Sequence, residues 1–305
     1  MSVSELRQSD ALPVLRDVAD LRRTVADWRT QGLRVGLVPT MGALHAGHLS
    51  LVRTALERAD RVIATIFVNP TQFGPGEDFS TYPRQEAEDA ARLAEVGCRA
   101  VYAPDAESMY PAGFATRVTV EGVSKGLCGD HRPGHFEGVA TVVTKLLLRA
   151  LPDMAVFGEK DYQQLQVIRR LVTDLDIPVE IVGGATVRAE DGLALSSRNA
   201  YLTEAERTIA PALFRVLSET AATLATGAPA APQLADARAR LTAAGFAIVE
   251  YLDLRDPETL APLPALPSTG VGRLLAAVRL GSTRLIDNVP VIRSGPGAQP
   301  TDRGV

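Results

Sequence analysis

Apolar positions along the first hundred residues switch between two periods. From Asp17 to Gln31, Val18, Leu21, Val25 and Trp28 recur at three- and four-residue intervals, the spacing of a helix with one buried stripe. Arg34 to Val38 is short and apolar and stops at Pro39, as a strand does. Leu49 to Ala59 restores the helical period, so Gly42 and Gly47 fall in a tight loop between strand and helix. Arg61 to Val68 is nearly continuous in apolar, β-branched residues, the signature of a strand covered on both faces. The alternation predicts a helix over Gln85–Val96, a strand over Arg99–Ala103 and a helix over Phe136–Ala150. It continues with a strand over Asp153–Phe157, a helix over Tyr162–Leu175 and a strand over Val179–Val182. Such a run predicts an α/β fold, a Rossmann-like doubly wound parallel sheet.

The rhythm changes at Gly183-Gly184. Two Ala-rich helical stretches, Glu204–Thr226 and Ala231–Ala244, precede Ala247–Leu254, Arg273–Leu280 and Thr283–Val289, which read as a small antiparallel sheet. The expectation is an N-terminal domain over 1–185 and a smaller α+β domain over 186–290. The Gly/Pro-rich remainder, 291–305, reads as a flexible tail.

Composition narrows the function. Hydrophobic residues make up 46% of 305 and charged residues 22%, an ordinary globular balance that excludes a disordered or disulfide-stapled chain. A net charge of −4 offers no general field for nucleic acid. No apolar run reaches the roughly 18 residues of a membrane span, and the polar start lacks a signal-peptide core, so a soluble cytoplasmic protein is expected. Cys98 and Cys128 lie far apart without metal-ligand or redox spacing and read as reduced thiols.

All four histidines fall in two loops, His45/His48 and His131/His135. The first pair stands three residues apart where a strand hands over to a helix, the place where open α/β sheets bind ligands and where free N–H groups favour phosphate. Gly47 between them lets a flat group approach the backbone. Zinc is a weaker reading, because no third ligand is supplied locally.

His45-Ala-Gly-His48 resembles the H-x-G-H signature of the nucleotidylyltransferase superfamily. Further blocks make the likeness closer: PTMGALHAGH from Pro39, FVNPTQF from Phe67 and Tyr82-Pro-Arg84, then RPGHF from Arg132, FGEKDYQQ from Phe157 and LSSRN from Leu195. In this order they resemble the pantothenate synthetase family over roughly 34–290. That resemblance implies an ATP-dependent ligase joining pantoate to β-alanine through a pantoyl adenylate. It implies that His45, His48 and Lys160 act on the phosphates, with Ser196, Ser197 and Arg198 on a closing loop hinged near Gly192. ATP is expected against Pro39, Thr40, Met41, Gly47, Gly158, Asp161, Val187 and Leu195. Pantoate and β-alanine are expected against Asn69, Gln72, Tyr82, Arg132, His135 and Gln164. Mg2+ is expected with ATP, Asp89 beside Glu88 being the acidic candidate, and a homodimer follows from the resemblance alone. Rival readings are transfer of AMP to a phosphate acceptor, a small aminoacyl-tRNA synthetase relative and a nucleotide-binding regulator without catalysis.

Overall fold

A computed structural model describes residues 12–267 and 270–293. The chain forms two compact units, Met1–Val187 and Arg188–Val305.

The first unit alternates strands and helices. Its elements begin with β1 (Val14–Leu15), α1 (Val18–Thr30), β2 (Val35–Thr40), α2 (Ala46–Leu56) and β3 (Arg61–Ile66). A 3₁₀ turn at Pro70–Gln72 precedes α3 (Glu86–Glu95), β4 (Ala100–Tyr102) and two single-turn helices, α4 (Ala106–Met109) and α5 (Cys128–His131). The unit ends with α6 (His135–Ala150), β5 (Met154–Gly158), a 3₁₀ turn at Glu159–Asp161, α7 (Tyr162–Asp174) and β6 (Glu180–Gly184).

Six strands lie in the order β1-β4-β3-β2-β5-β6, and every pairing is parallel. Val35, Leu37 and Val38 of β2 are fully buried, as are Val62, Ile63 and Ala64 of β3, which explains why both strands read as unbroken apolar runs. In α1 the stripe buries Leu21 and Val25, and the Asp17 side chain caps the start by accepting from the Asp20 N–H at 2.8 Å. Gly184 is required by close approach: a Cβ there would stand 2.3 Å from Leu51 Cδ2, so its absence lets α2 lie against β6.

The second unit holds a 3₁₀ turn at Ser197–Tyr201, helices α8 (Glu204–Ile209), α9 (Ala212–Ala225) and α10 (Ala230–Ala244), and the antiparallel sheet β7 (Ile248–Arg255), β8 (Val271–Leu280) and β9 (Thr283–Ile292). The expected single helix over Glu204–Thr226 is two helices, because Pro211 carries no N–H for the ladder. Leu217, Leu241, Leu252, Leu274 and Val278 are fully buried in a core of its own. Of the expected tail, Val291 and Ile292 complete β9, and residues from 294 lie outside the described ones. Among the described residues no helix is long and apolar enough to cross a membrane.

Candidate active site

The strand order dictates where to look. β3 flanks β2 on one side and β5 on the other, so the winding reverses at the β2/β5 pair, and ligands of open parallel sheets sit beyond the carboxyl ends at such a reversal. β2 ends at Thr40 and β5 at Gly158, so the PTMGALHAGH and FGEKD segments begin in the last two residues of these strands and run on beyond them.

After β2 the chain turns through Gly42 (φ 81°) and Ala43 (φ 51°) before α2 begins. Thr40 is buried. Its hydroxyl donates to the Thr65 carbonyl at 2.5 Å and accepts the Gly42 N–H at 3.2 Å, which starts the turn. His45 is the N-cap of α2 and His48 its third residue, so the two rings meet at the helix start, centroids 4.1 Å apart. His45 Nδ1 accepts the Gly47 N–H at 3.1 Å, and His48 Nδ1 accepts the His45 N–H at 3.4 Å, a capping box built from imidazoles.

This arrangement fixes proton positions. A neutral imidazole whose Nδ1 accepts carries its hydrogen on Nε2. Burial, with the neighbouring Lys160 charge, pushes His45 down to about 4; burial and the His45 charge push His48 down to about 3. Both rings are therefore neutral near pH 7, each with an Nε2–H donor that the box does not use.

Lys160 and Asp161 form the turn beyond β5, with Lys160 Nζ 3.8 Å from Asp161 Oδ2 and the lysine side chain only 19% exposed. A compact cation thus stands beside neutral donors at the mouth of the reversal, a set suited to phosphate oxygens.

A second cluster adjoins the first. Gln72 Nε2 lies 2.9 Å from Met41 Sδ, which joins the loop after β2 to the 3₁₀ turn after β3. Asn69, expected at the substrate, is 1% exposed and fully engaged. Its amide donates to Gln72 Oε1 (3.0 Å) and the Gly138 carbonyl (3.2 Å), and its oxygen accepts from Tyr110 (2.7 Å) and Thr71 (2.9 Å). It orients Gln72 from behind. Tyr82 is likewise buried, its ring edge-on to Phe73, so it belongs to an aromatic wall with Phe79. Gly138 lets α6 touch this turn: a Cβ would stand 2.3 Å from the Thr71 carbonyl oxygen.

Arg132 and His135, expected to receive a substrate carboxylate, are already engaged. Arg132 grips Glu77 bidentately at 2.7 and 2.6 Å and lies 3.0 Å from His135 Nε2, while His135 Nδ1 is 2.9 Å from the Gln72 carbonyl. Burial and Arg132 push His135 down to about 4, so the ring is neutral, with Nδ1–H donating to Gln72 and Nε2 accepting from Arg132. Burial pushes Glu77 up, but the Arg132 hydrogen bond and charge, with the Gly74 N–H and the neighbouring His135, together outweigh it and leave the carboxyl at about 2. The charge of Arg132 is matched by Glu77, and the same guanidinium reaches the Gln72 carbonyl at 3.4 Å.

Of the adjacent glutamines on α7, Gln163 is the buried one; it accepts the Cys128 N–H at 3.0 Å and donates to the Val123 and Gly126 carbonyls at 3.1 Å, while Gln164 is half-buried. Asp89, the acidic candidate for a metal, is fully buried with both oxygens occupied by main-chain N–H groups, of Ala43 at 2.9 Å and Leu44 at 2.8 Å. Both oxygens are thus turned onto the main chain of the loop after β2. Among the described residues no group of three His, Cys, Asp or Glu side chains forms a metal site. The site's donor set, two imidazoles and a lysine, fits anionic oxygens rather than a cation.

The remaining expected residues come later in the chain. Val187 is half-buried at the close of the first unit. In the second unit, Leu195, Ser196, Ser197 and Arg198 share one half-buried turn, started by the Ser196 hydroxyl accepting the Arg198 N–H at 3.3 Å. Arg188 anchors its base: it pairs bidentately with Asp287 at 2.6 and 2.9 Å, donates to the Gly192 carbonyl at 3.1 Å and stacks 3.7 Å from the Phe214 ring centroid. Gly192, read as a hinge, has φ 90° and would place a Cβ 2.6 Å from Phe214, so packing as well as backbone freedom requires glycine.

Comparison with known proteins agrees with this geometry. Residues 13–290 match the family model described as pantoate-beta-alanine ligase. The pantothenate synthetase of Rhodospirillum rubrum is 60% identical over 281 residues, 92% of this chain and 99% of its own length. The crystal structure of pantothenate synthetase from Thermus thermophilus superposes with a TM-score of 0.85 at 48% identity, covering 92% of this chain and all of that one. Pantoate-beta-alanine ligase from Francisella tularensis, complexed with beta-gamma ATP and beta-alanine, gives 0.77 at 33% identity over 94% of this chain and all of that one. A parallel sheet whose reversal point carries paired imidazoles and a lysine, matched at this identity over nearly the whole length of its relatives, places the chain in the pantoate-beta-alanine ligase family.

Proposed function

We propose that the condensation of pantoate with β-alanine carried out by this family runs here through a pantoyl adenylate, formed from ATP with loss of pyrophosphate and then opened by the amine with loss of AMP. The chemical need is plain. A carboxylate is a poor acyl donor because its leaving group would be oxide, and adenylation substitutes a stable phosphate anion. The protein's task is to align the carboxylate with the α-phosphorus and to stabilise charge on the phosphate oxygens.

The observation that carries the reading is the imidazole capping box, which leaves two neutral Nε2–H donors beside Lys160 at the sheet's reversal. His45 and His48 donate to phosphate oxygens as negative charge builds there, and Lys160 adds a fixed positive charge. Thr40, Met41, Gly47, Gly158 and Asp161 line the nucleotide side. Gln72 and Gln164, amides that both donate and accept, take pantoate's hydroxyls and carboxylate. Ser196, Ser197 and Arg198 supply hydroxyls and a guanidinium to the outer phosphates, with Leu195 and Val187 against the nucleotide. Mg2+ brought in with ATP would supply charge neutralisation to the phosphates. The resemblance adds a homodimer, which light scattering on the purified chain checks.

Pantoate-dependent exchange of labelled pyrophosphate into ATP tests the reading. Exchange that requires pantoate, and that His45→Ala or Lys160→Ala abolishes without changing the circular dichroism spectrum, supports it. Exchange without pantoate points to AMP transfer onto another acceptor, and unchanged rates in both variants overturn the assigned roles.

A further inference from the structure

We propose that Asp89 is a positioning residue for the histidine pair: its buried carboxylate fixes the peptide groups just before His45 and so decides where both imidazoles point. The inference rests on the reading of His45 and His48 as phosphate donors.

Asp89 lies on α3, more than forty residues from the loop it holds. It is fully buried, and its two oxygens accept the N–H groups of consecutive residues, Ala43 at 2.9 Å and Leu44 at 2.8 Å. One turn further along α3, Arg92 donates to the Leu44 carbonyl, so the N–H and C=O of Leu44 are both gripped from one helix. Gln85 reaches the same carboxylate at 3.4 Å.

The loop needs such a clamp. Ala43 sits at φ 51°, where residues with a Cβ rarely stay unless the surroundings insist. Gly42 beside it has φ 81°, and a Cβ there would come within 3.0 Å of Asp89 Oδ2. Leu44 is followed at once by His45, the N-cap whose Nδ1 closes the box on Gly47. Releasing the Leu44 peptide thus frees the residue that starts α2. Only a carboxylate offers acceptors to two neighbouring N–H groups at once. The isosteric amide Asn has one acceptor, and its NH₂ would confront a donor.

The test uses the full chain with Asp89→Asn and Arg92→Met, and His45→Ala as reference. It measures kcat and KM in pantoate-dependent pyrophosphate exchange, imidazole titration by NMR, the Mg2+ requirement and Tm. With four histidines in the chain, the NMR spectrum is simple to assign. D89N is expected to lose about 10²-fold in kcat, the scale of a 1 Å misplacement, with KM for pantoate unchanged. His45 and His48 should titrate closer to 6.5 than their values of about 4 and about 3. R92M should move the same readouts less. A folded D89N with kcat within about twofold of the parent overturns the proposal, as does lost kcat with unmoved imidazole titration. A loss reversed by raised Mg2+ overturns it in favour of a metal ligand. If D89N fails to fold, R92M decides by the same kcat and titration readouts. An H45A variant as active as the parent sinks the donor reading itself; an inactive H45A beside a fully active D89N sinks only the role of Asp89.

Discussion

Residues 41–45 and residues 72–77 bracket the same end of the sheet but are secured differently. The first stretch hangs on main-chain N–H groups that end in a fully buried carboxylate, Asp89. The second hangs on side chains: Arg132 reaches Glu77 and His135, with the two charged partners 14% and 25% exposed. Buried main-chain bonds are shielded from salt, whereas a partly exposed ion pair is screened by it. The stretch proposed to face phosphate is thus anchored through its backbone, and the stretch proposed to face the organic acid through side chains.

The sharpest way to break this contrast is His48→Ala, which removes a donor from the phosphate side. Exchange should fall by roughly 10²- to 10³-fold, as for an oxyanion-hole donor, while KM for pantoate stays within error. Gly138→Ala attacks the other side, because its Cβ would press on the Thr71 carbonyl from 2.3 Å. Thermal unfolding should show a loss of about 1–3 kcal/mol, and steady-state kinetics a raised KM for pantoate. Arg132→Met leaves the Glu77 carboxylate without its guanidinium, and a loss of about 1–2 kcal/mol is expected. The double variant Glu77→Gln/Arg132→Met should recover part of it in the same unfolding assay.

pH acts on both stretches at once. Unfolded histidines take up protons as pH falls through 6.5, whereas His45 and His135 stay neutral in the fold until about 4 and His48 until about 3. The unfolded chain binds more protons over that window, so stability should decline steadily from pH 6.5 towards 4. Glu77, lowered from 4.5 to about 2, adds its own loss between those values. Exchange should nevertheless hold its rate through pH 6, and an acid limb centred near 6.5 would contradict the neutral donors.

How much is legible in the sequence follows from the same physics. β2 and β3 are readable because a parallel strand covered on both faces leaves an unbroken apolar run, and His45, His48 and Lys160 because they follow such strands directly. The two-residue β1 carries no period to detect. Between β4 and α6 the single-turn helices and extended chain have no repeat, and α5 starts on Leu127 at φ 51°, a conformation its residue type does not announce. Glu88 and Asp89 look like an ordinary acidic pair on a surface helix; only packing of α3 against the loop after β2 buries one and leaves the other exposed. The role of Arg132 is hidden for a similar reason, since its partner Glu77 is 55 residues away and no local pattern joins them.

The imidazole capping box has a consequence for proton traffic. With each δ nitrogen committed to a main-chain hydrogen and each ε nitrogen already protonated, neither ring offers a lone pair to the reactants. Turning either one into a base would mean dismantling the first turn of α2. The ammonium of β-alanine is thus not deprotonated by either imidazole; water, a phosphate oxygen or a carboxylate is left to accept its proton, and the amide-forming half of the reaction should quicken with alkalinity until the amine's own titration is complete.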